Sequence, residues 1–116
     1  MKKRHFSEVP AAEVPAPAQG VKIRWVIDET IGAPNFAMRH FEIAPGGQTP
    51  FHEHVWEHEV FILSGMGVVV SDGGETSFGP GDVIFMPGGE KHNFRNTGDE
   101  PVTLLCLVPL SSKAAR

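Results

Sequence analysis

The sequence lacks the uninterrupted stretches that long helices require. Its 116 residues include 13 glycines and 10 prolines, nearly one residue in five, where average usage is roughly one in eight. A single segment longer than a dozen residues, residues 51–64, contains neither of them. A helical bundle needs several such segments of about 10 to 14 residues. We therefore expect an all-β chain of strands and turns, folded as one domain at this length.

Other absences exclude classes of partner and location. Ten Lys and Arg against 14 Asp and Glu give a net charge of −4, which indicates no nucleic-acid partner. No run of about 18 apolar residues is present to span a membrane. The one cysteine, Cys106, cannot form an internal disulfide, which favours a reducing compartment. A basic start is followed by Glu8, Pro10 and Glu13 rather than a signal-peptide core, so we expect a cytoplasmic protein.

The chain divides into three parts. Residues 1–20 end in a segment rich in Pro and Ala without periodicity, which predicts an extended N-terminal arm. Residues 21–110 contain short apolar runs separated by Gly, Pro, Asn and Asp turns, and residues 111–116 form a C-terminal tail. Short strands at this spacing predict a sandwich or barrel. The predicted strands are residues 21–28, 36–43, 59–63, 66–71, 82–86, 92–96 and 102–108.

Histidine is the residue in excess, because His52, His54 and His58 fall within seven positions. On a strand, His52 and His54 would share one face with their imidazoles roughly 7 Å apart. Neutral ring nitrogens so placed favour a metal site over ordinary surface or core histidines. Residues 54–58 also spell H-x-x-E-H, but the metalloprotease with that motif requires long helices, which this sequence does not offer.

Two motifs make the chain resemble the cupins across residues 21–110. In the first, Gly46 is followed after five residues by His52, and His54 comes two positions later. In the second, the spacing from Gly81 to Asn96 matches the cupin pattern at every fixed position. The resemblance implies a double-stranded β-helix, or jelly-roll, barrel that holds one divalent transition-metal ion. The matching positions of the second motif are Gly81, Pro87, Gly89, His92 and Asn96.

The sequence departs from the cupin pattern where the family places a glutamate ligand. Counting forward from His54, the family spacing allows His58 or Glu59. The family pattern places six residues between this ligand and Gly65, which selects His58, and on an unbroken strand His58 would also share a face with His54. We therefore predict a four-histidine site of the kind found in a subgroup of small cupins, with Glu59 as the alternative to His58. The predicted ligands are His52, His54, His58 and His92.

A neutral ligand set leaves the full charge of the ion in place and strengthens it as a Lewis acid. Four ligands on an octahedral ion leave two positions, enough for a chelating substrate or for a substrate atom and dioxygen. We expect a metal-dependent enzyme, dioxygenase-like, acting on a small organic acid or diketone-like molecule. A non-catalytic binding module, an isomerase and a decarboxylase are the alternatives. Imidazole suits Fe, Mn, Ni, Cu, Co and Zn, so the metal stays open.

The remaining residues near the motifs receive mainly structural interpretations. His40 is expected at an ordinary surface or core position rather than as a pocket acid or base, with Arg39 on the other face of its strand. Glu53 is expected to face away from the site, and Cys106 to be an inert core thiol. No catalytic residue is assigned.

Two further expectations concern contacts of the site and of the chain. We expect Glu57, Glu59 or Glu90 to accept a hydrogen bond from a ligand histidine, and Trp56 to wall the pocket or pack on a partner chain. Apolar runs with two buried faces predict a homodimer.

Overall fold

The computed structural model describes residues 1–114 and consists almost entirely of β-strands. Short 3-10 helices occur at Phe6–Glu8 and Glu29–Ile31, and α1 is a single turn at Ser111–Ala114. Residues 115 and 116 of the predicted tail lie outside the described residues. None of the helices in the described part of the chain is long and apolar enough to cross a membrane. The strands are β1 Ala12–Glu13, β2 Gln19–Ile27, β3 Phe36–Gln48, β4 His58–Ser64, β5 Gly67–Ser71, β6 Gly74–Phe78, β7 Val83–Met86, β8 His92–Asn96 and β9 Val102–Pro109.

The strands form one strongly curled sheet. Its neighbours follow the order β6, β5, β8, β3, β9, β4 and β7, while β1 and β2 pair beside β3. Every pair is antiparallel. The link between the two halves is narrow, since the ladder between β3 and β8 consists of one residue pair, Gln48 and Arg95. The all-β, jelly-roll prediction is therefore confirmed.

Alternation along the strands sorts side chains between the barrel interior and its outer face. On β9 the burial alternates residue by residue, and β4 shows the same pattern over its first five residues, as expected when one face is packed. Ile43, Ile62, Val102 and Leu104 pack one end of the interior, each no more than 2% exposed. The other end of the barrel interior is left for polar side chains.

Asn96, the last residue of the second motif, has a structural role at the packed end. Its amide nitrogen donates to the carbonyl oxygens of Ile43 and Glu100, at 2.9 and 2.8 Å. Its side-chain oxygen accepts from the backbone N–H of Gly98 at 2.9 Å. Because Asn96 is only 3% exposed, these bonds fix the turn that follows β8.

All seven predicted strands are present, and two more strands were missed. β1 has two residues, and β6 contains no apolar residue before Phe78, so neither shows the alternation of apolar and polar residues that predicts a strand. The expectation that His52 and His54 lie on a strand is wrong, because residues 49–57 form a loop between β3 and β4. β3 also runs on to Gln48, past the glycines predicted to end it.

The N-terminal arm folds back over the barrel of its own chain. β1 pairs with β2, placing Ala12 opposite Ile23, and the Arg4 guanidinium donates to the Val26 carbonyl at 2.7 Å. The ring of Phe6 stacks on His40 with centroids 4.5 Å apart. The arm therefore lies on the outer face of β2 and β3, and its residues around Val14 reach the mouth of the barrel.

Candidate metal centre

The histidines of the two motifs meet at the polar end of the barrel. His52 and His54 lie on the loop of residues 49–57, His58 is the first residue of β4, and His92 is the first residue of β8. An isolated bridge holds the loop in place, because the backbone of His52 exchanges two hydrogen bonds with that of His92, at 3.1 and 3.0 Å. The glycine-rich turn adds a third, from the Gly89 N–H to the His54 carbonyl at 2.6 Å.

Three of the four imidazoles form a compact group of potential metal ligands. One ligand nitrogen each from His54, His58 and His92 lies within 4.8 Å of the others. The His52 ring is adjacent, with its centroid 4.3 Å from that of His54 and 5.9 Å from that of His92. The structure thus brings all four rings together, and three of them place ligand nitrogens close enough to share one metal ion.

Neighbouring groups orient two of these rings. His92 Nδ1 lies 2.8 Å from the backbone carbonyl of Glu90, so this nitrogen carries the hydrogen and Nε2 is left as a ligand atom. The acceptor is the main chain of Glu90 rather than a carboxylate. The His54 ring stacks on Trp56 at 4.5 Å with the planes 6° apart, and Trp56 also lines the cavity.

The environment keeps the rings neutral, as metal ligation requires. Burial lowers the pKa of His58 to about 3, with the Arg39 charge acting in the same direction. Burial lowers the pKa of His54 to about 4, and the neighbouring His52 ring acts in the same direction. Burial also lowers the pKa of His52, where the His92 ring contributes. At neutral pH these imidazoles therefore present lone pairs rather than positive charges.

The two candidates for the glutamate position of the pattern face opposite ways. The His58 side chain is 5% exposed and belongs to the group of three. Glu59 is exposed on the outer face of β4, opposite Leu107 and Phe85. Although the loop before His58 is not a strand, the alternation within β4 alone separates the two side chains.

The histidines open into a cavity of about 610 Å³. Its wall is mainly apolar, and three residues of the arm, Glu13, Val14 and Pro15, form part of it. Glu53 also lines the cavity, so the expectation that it faces away is wrong. The aromatic and larger aliphatic residues of the wall are Trp25, Phe41, Trp56, Phe94, Val14, Val21, Ile23 and Leu104.

Arg39 is a cavity residue to which sequence reasoning gave no role, although it was expected on the face opposite His40. Its side chain points inward, and Nη2 lies 3.2 Å from His58 Nδ1 and 2.9 Å from Cys106 Sγ. His40 instead packs on the outer face under Phe6. The sequence did hold a signal, since Ala37, Arg39, Phe41 and Ile43 alternate as one otherwise apolar face.

Cys106 is a buried core residue, as predicted, and it also forms part of the site. It lines the cavity, and its sulfur is 3.4 Å from His58 Nδ1. Burial raises the pKa of this thiol, and the Arg39 charge opposes that shift. The thiol is therefore a neutral neighbour of His58.

The donor set fits a divalent transition metal. Neutral imidazoles are ligands for Zn, Cu, Fe and Ni, and two nitrogens on one such ion lie at most roughly 4 Å apart. The 4.8 Å limit of the observed group is close to that span, so small ring movements suffice. His54, His58 and His92 are the residues that could hold the ion, with His52 at its side.

Comparison with known families identifies the domain type. The sequence profile of the Cupin_2 family, described as a cupin domain, matches residues 39–108. The matched segment contains both histidine motifs and five of the nine strands in full.

Known proteins similar to this chain have diverse activities. The structure of the polyketide cyclase RemF from Streptomyces resistomycificus is 37% identical, with a TM-score of 0.88 over 95% of this chain and 80% of that one. The 1-methylthio-D-xylulose 5-phosphate methylsulfurylase of Rhodospirillum rubrum is 35% identical over 61% of this chain and 46% of its own length. The tetracenomycin polyketide synthase protein TcmJ of Streptomyces glaucescens is 26% identical over 85% of this chain and 68% of its own length. The first of the two curated relatives is thus matched over about half its length.

Proposed function

Because this chain belongs to the cupin family, we propose that His52, His54, His58 and His92 together hold one divalent transition-metal ion in an enzyme that cyclises an enolisable β-polyketone. The convergence of three imidazole nitrogens supports the ion site. His52 is included because its ring lies against His54 and its backbone is bridged to His92. When bound, the ion would act as a Lewis acid that stabilises negative charge on a carbonyl oxygen.

The size and the lining of the cavity indicate the class of substrate. Its volume of about 610 Å³ corresponds to roughly twenty water molecules at about 30 Å³ each. A small dicarboxylic acid would leave most of that space filled with water, against a wall that is mainly apolar and aromatic. A flat, extended β-polyketone fills such a cavity and stacks on aromatic rings. The similarity to a polyketide cyclase along 95% of the chain supports the same class.

The chain's own residues have three tasks in this reaction. Trp25, Phe41 and Phe94 exclude water and hold the polyketone in a folded shape. A proton must leave a carbon between two carbonyls, and that carbon then bonds to another carbonyl of the same chain, whose oxygen leaves as water. Glu13 and Glu53 are the carboxylates that line the cavity, and we assign the proton transfers to them.

A dioxygenase is the second candidate, supported by the neutral ligand set predicted from the two motifs. Both candidates use the same histidines, so mutation of the ligands does not separate them. The products do, because cyclisation yields a molecule lighter by one water, whereas dioxygenation consumes dioxygen and adds oxygen atoms. A binding module would bind the same ligand and change neither its mass nor the dioxygen concentration.

The metal site is tested by elemental analysis of protein purified without chelators or an affinity metal. We expect close to one ion per chain in the wild type and in Glu59→Ala, whose side chain is on the outer face. His58→Ala should lose most of the metal. Retention in His58→Ala with loss in Glu59→Ala would assign the ligand to Glu59 instead.

The reaction is tested with the metal-loaded protein and a linear 3,5,7-trioxo ester, whose C2 can attack the C7 carbonyl, followed by mass spectrometry beside an oxygen electrode. We expect loss of water, no dioxygen uptake, and slower turnover in Glu53→Gln and Glu13→Gln. Dioxygen uptake would replace the cyclase with the dioxygenase. Binding with neither change, for every metal tested, would leave the binding module.

A further inference from the structure

Arg39 is a cation in the cavity wall that the proposed cyclisation does not use. Its guanidinium lies between two aromatic rings, with Cζ 5.4 Å from the centroid of Trp25 and 4.9 Å from that of Phe41. Its polar neighbours are the His58 nitrogen and the Cys106 sulfur, both neutral. The charge is therefore held by aromatic faces and weak acceptors rather than by a carboxylate.

No carboxylate of residues 1–114 forms an ion pair with Arg39, although Glu13 and Glu53 line the same cavity. Among residues 1–114, the ion pair found joins Arg95 to Glu75, far along the chain from Arg39. The Arg39 Nε is also buried without a hydrogen-bond partner. A half-buried cation with a buried, unsatisfied donor is costly to the fold, so its presence beside the histidines indicates an anionic partner supplied by the ligand.

We propose that Arg39 binds a carboxylate of the substrate, so that the ligand is a planar β-dicarbonyl acid rather than a neutral polyketone. The inference rests on the proposed function, because it names the substrate of the same site. A guanidinium donates parallel N–H groups to a carboxylate. The rings of Trp25 and Phe41, which flank the guanidinium, place the flat part of the ligand beside its charged end.

The hydrogen-bond chemistry of His58 connects Arg39 to the metal site. An imidazole that gives Nε2 to an ion keeps its hydrogen on Nδ1, where it donates and no longer accepts. The Cys106 sulfur, 3.4 Å from Nδ1, is then the acceptor. The Arg39 N–H that faces Nδ1 at 3.2 Å loses its acceptor at the same time and becomes available to the ligand.

The test compares two probes that differ only in charge, 4-phenyl-2,4-dioxobutanoate and its ethyl ester. Their binding to zinc-loaded protein is measured by calorimetry for the wild type, Arg39→Met and Arg39→Lys. We expect the wild type to prefer the acid, and Arg39→Met to lose about 10- to 100-fold in affinity for the acid while binding the ester as before. Arg39→Lys should recover part of the preference.

Arg24→Met is the matched control, because Arg24 also lies on the sheet but contacts Phe6 of the arm. It should keep the wild-type preference for the acid. An unchanged acid-to-ester ratio in Arg39→Met would overturn the proposal. So would an equal loss of both probes together with the zinc, since Arg39 would then act only by supporting His58.

The same measurements separate this proposal from the proposed reaction. If the protein binds zinc and prefers the acid through Arg39 but forms no cyclised product, the cyclase fails and the role of Arg39 stands. If cyclisation of a free-acid substrate proceeds as well in Arg39→Met as in the wild type, the role of Arg39 fails and the cyclase stands.

Discussion

At the scale of single residues, the site depends on keeping an imidazole uncharged inside the barrel. The pKa of His58 is lowered from 6.5 to about 3, first by burial and then by Arg39. Between these values the unfolded chain binds a proton that the folded chain excludes. Stability must therefore be lost as the pH falls through this range, and it is fully present above pH 6.5.

We expect metal-free protein to lose about 1.4 kcal/mol of unfolding free energy per pH unit below 6.5 through His58 alone. Urea unfolding at a series of pH values measures this slope. His58→Gln should reduce the slope by about 1.4 kcal/mol per pH unit, because glutamine does not titrate. The part due to His54 and His52, whose pKa values burial also lowers, should remain. His5→Gln, at an exposed position, should not change the slope. A slope as steep in His58→Gln as in the wild type would contradict the assignment.

The sequence predicted the four histidines of the site better than the residues that surround them. Motif spacing singled out His52, His54, His58 and His92, all of which meet in the structure. Arg39 was missed because a charged residue on a strand is normally assigned to solvent. The inward direction of Arg39 is set by pairing with Trp25 and Cys106, contacts between distant parts of the chain that local spacing does not encode.

At the scale of elements, the loop of residues 49–57 is positioned by the turn that precedes β8. Gly88 is packed so closely under this loop that a Cβ there would lie 2.2 Å from the Val55 carbonyl oxygen. The neighbouring Gly89 N–H bonds to the His54 carbonyl. The turn of Gly88 and Gly89 therefore helps to determine where the ligand His54 lies.

We expect Gly88→Ala to weaken metal binding at least tenfold and to cost about 1 to 3 kcal/mol of stability, because the loop must shift. Metal titration and thermal unfolding measure the two effects. Gly79→Ala is the control, since a Cβ at Gly79 meets nothing within 4 Å. Equal metal affinity and equal stability of the two variants would show that the loop does not depend on the contact between Gly88 and Val55.

Element prediction succeeded where runs were apolar and bounded by turns, as in β5 and β9. It failed for β6, whose sequence GETSF is mostly polar and whose strand forms by pairing with β5. It failed again for residues 49–57, where alternating histidines imitate a strand. There the bridge to His92 and the contact with Gly88 override the local pattern.

At the scale of the whole molecule, an apolar area remains on the outer face of β4 and β7. Phe61 and Val83 are paired across these strands and are 44% and 72% exposed, and Phe85 is 60% exposed. β7 is also an edge strand of the sheet. An exposed edge beside an apolar face fits the homodimer predicted from the sequence.

We expect sedimentation to show a dimer for the wild type, and Phe85→Lys to shift it toward monomer by placing a charge in the contact. Met66→Lys, at an exposed position in the turn before β5, should remain dimeric. A monomeric wild type, or dissociation of both variants alike, would rule out this face as the contact.

The origin of the ligands also has a mechanical consequence. His54 and His92 are 38 positions apart, so an ion shared between them would crosslink the chain and close a long loop. By the entropy of loop closure, a crosslink of this span stabilises a fold by roughly 3 to 5 kcal/mol. Removal of the ion would then raise the rate of amide hydrogen exchange in residues 49–57, and the supply of metal would govern how long the folded chain survives proteolysis.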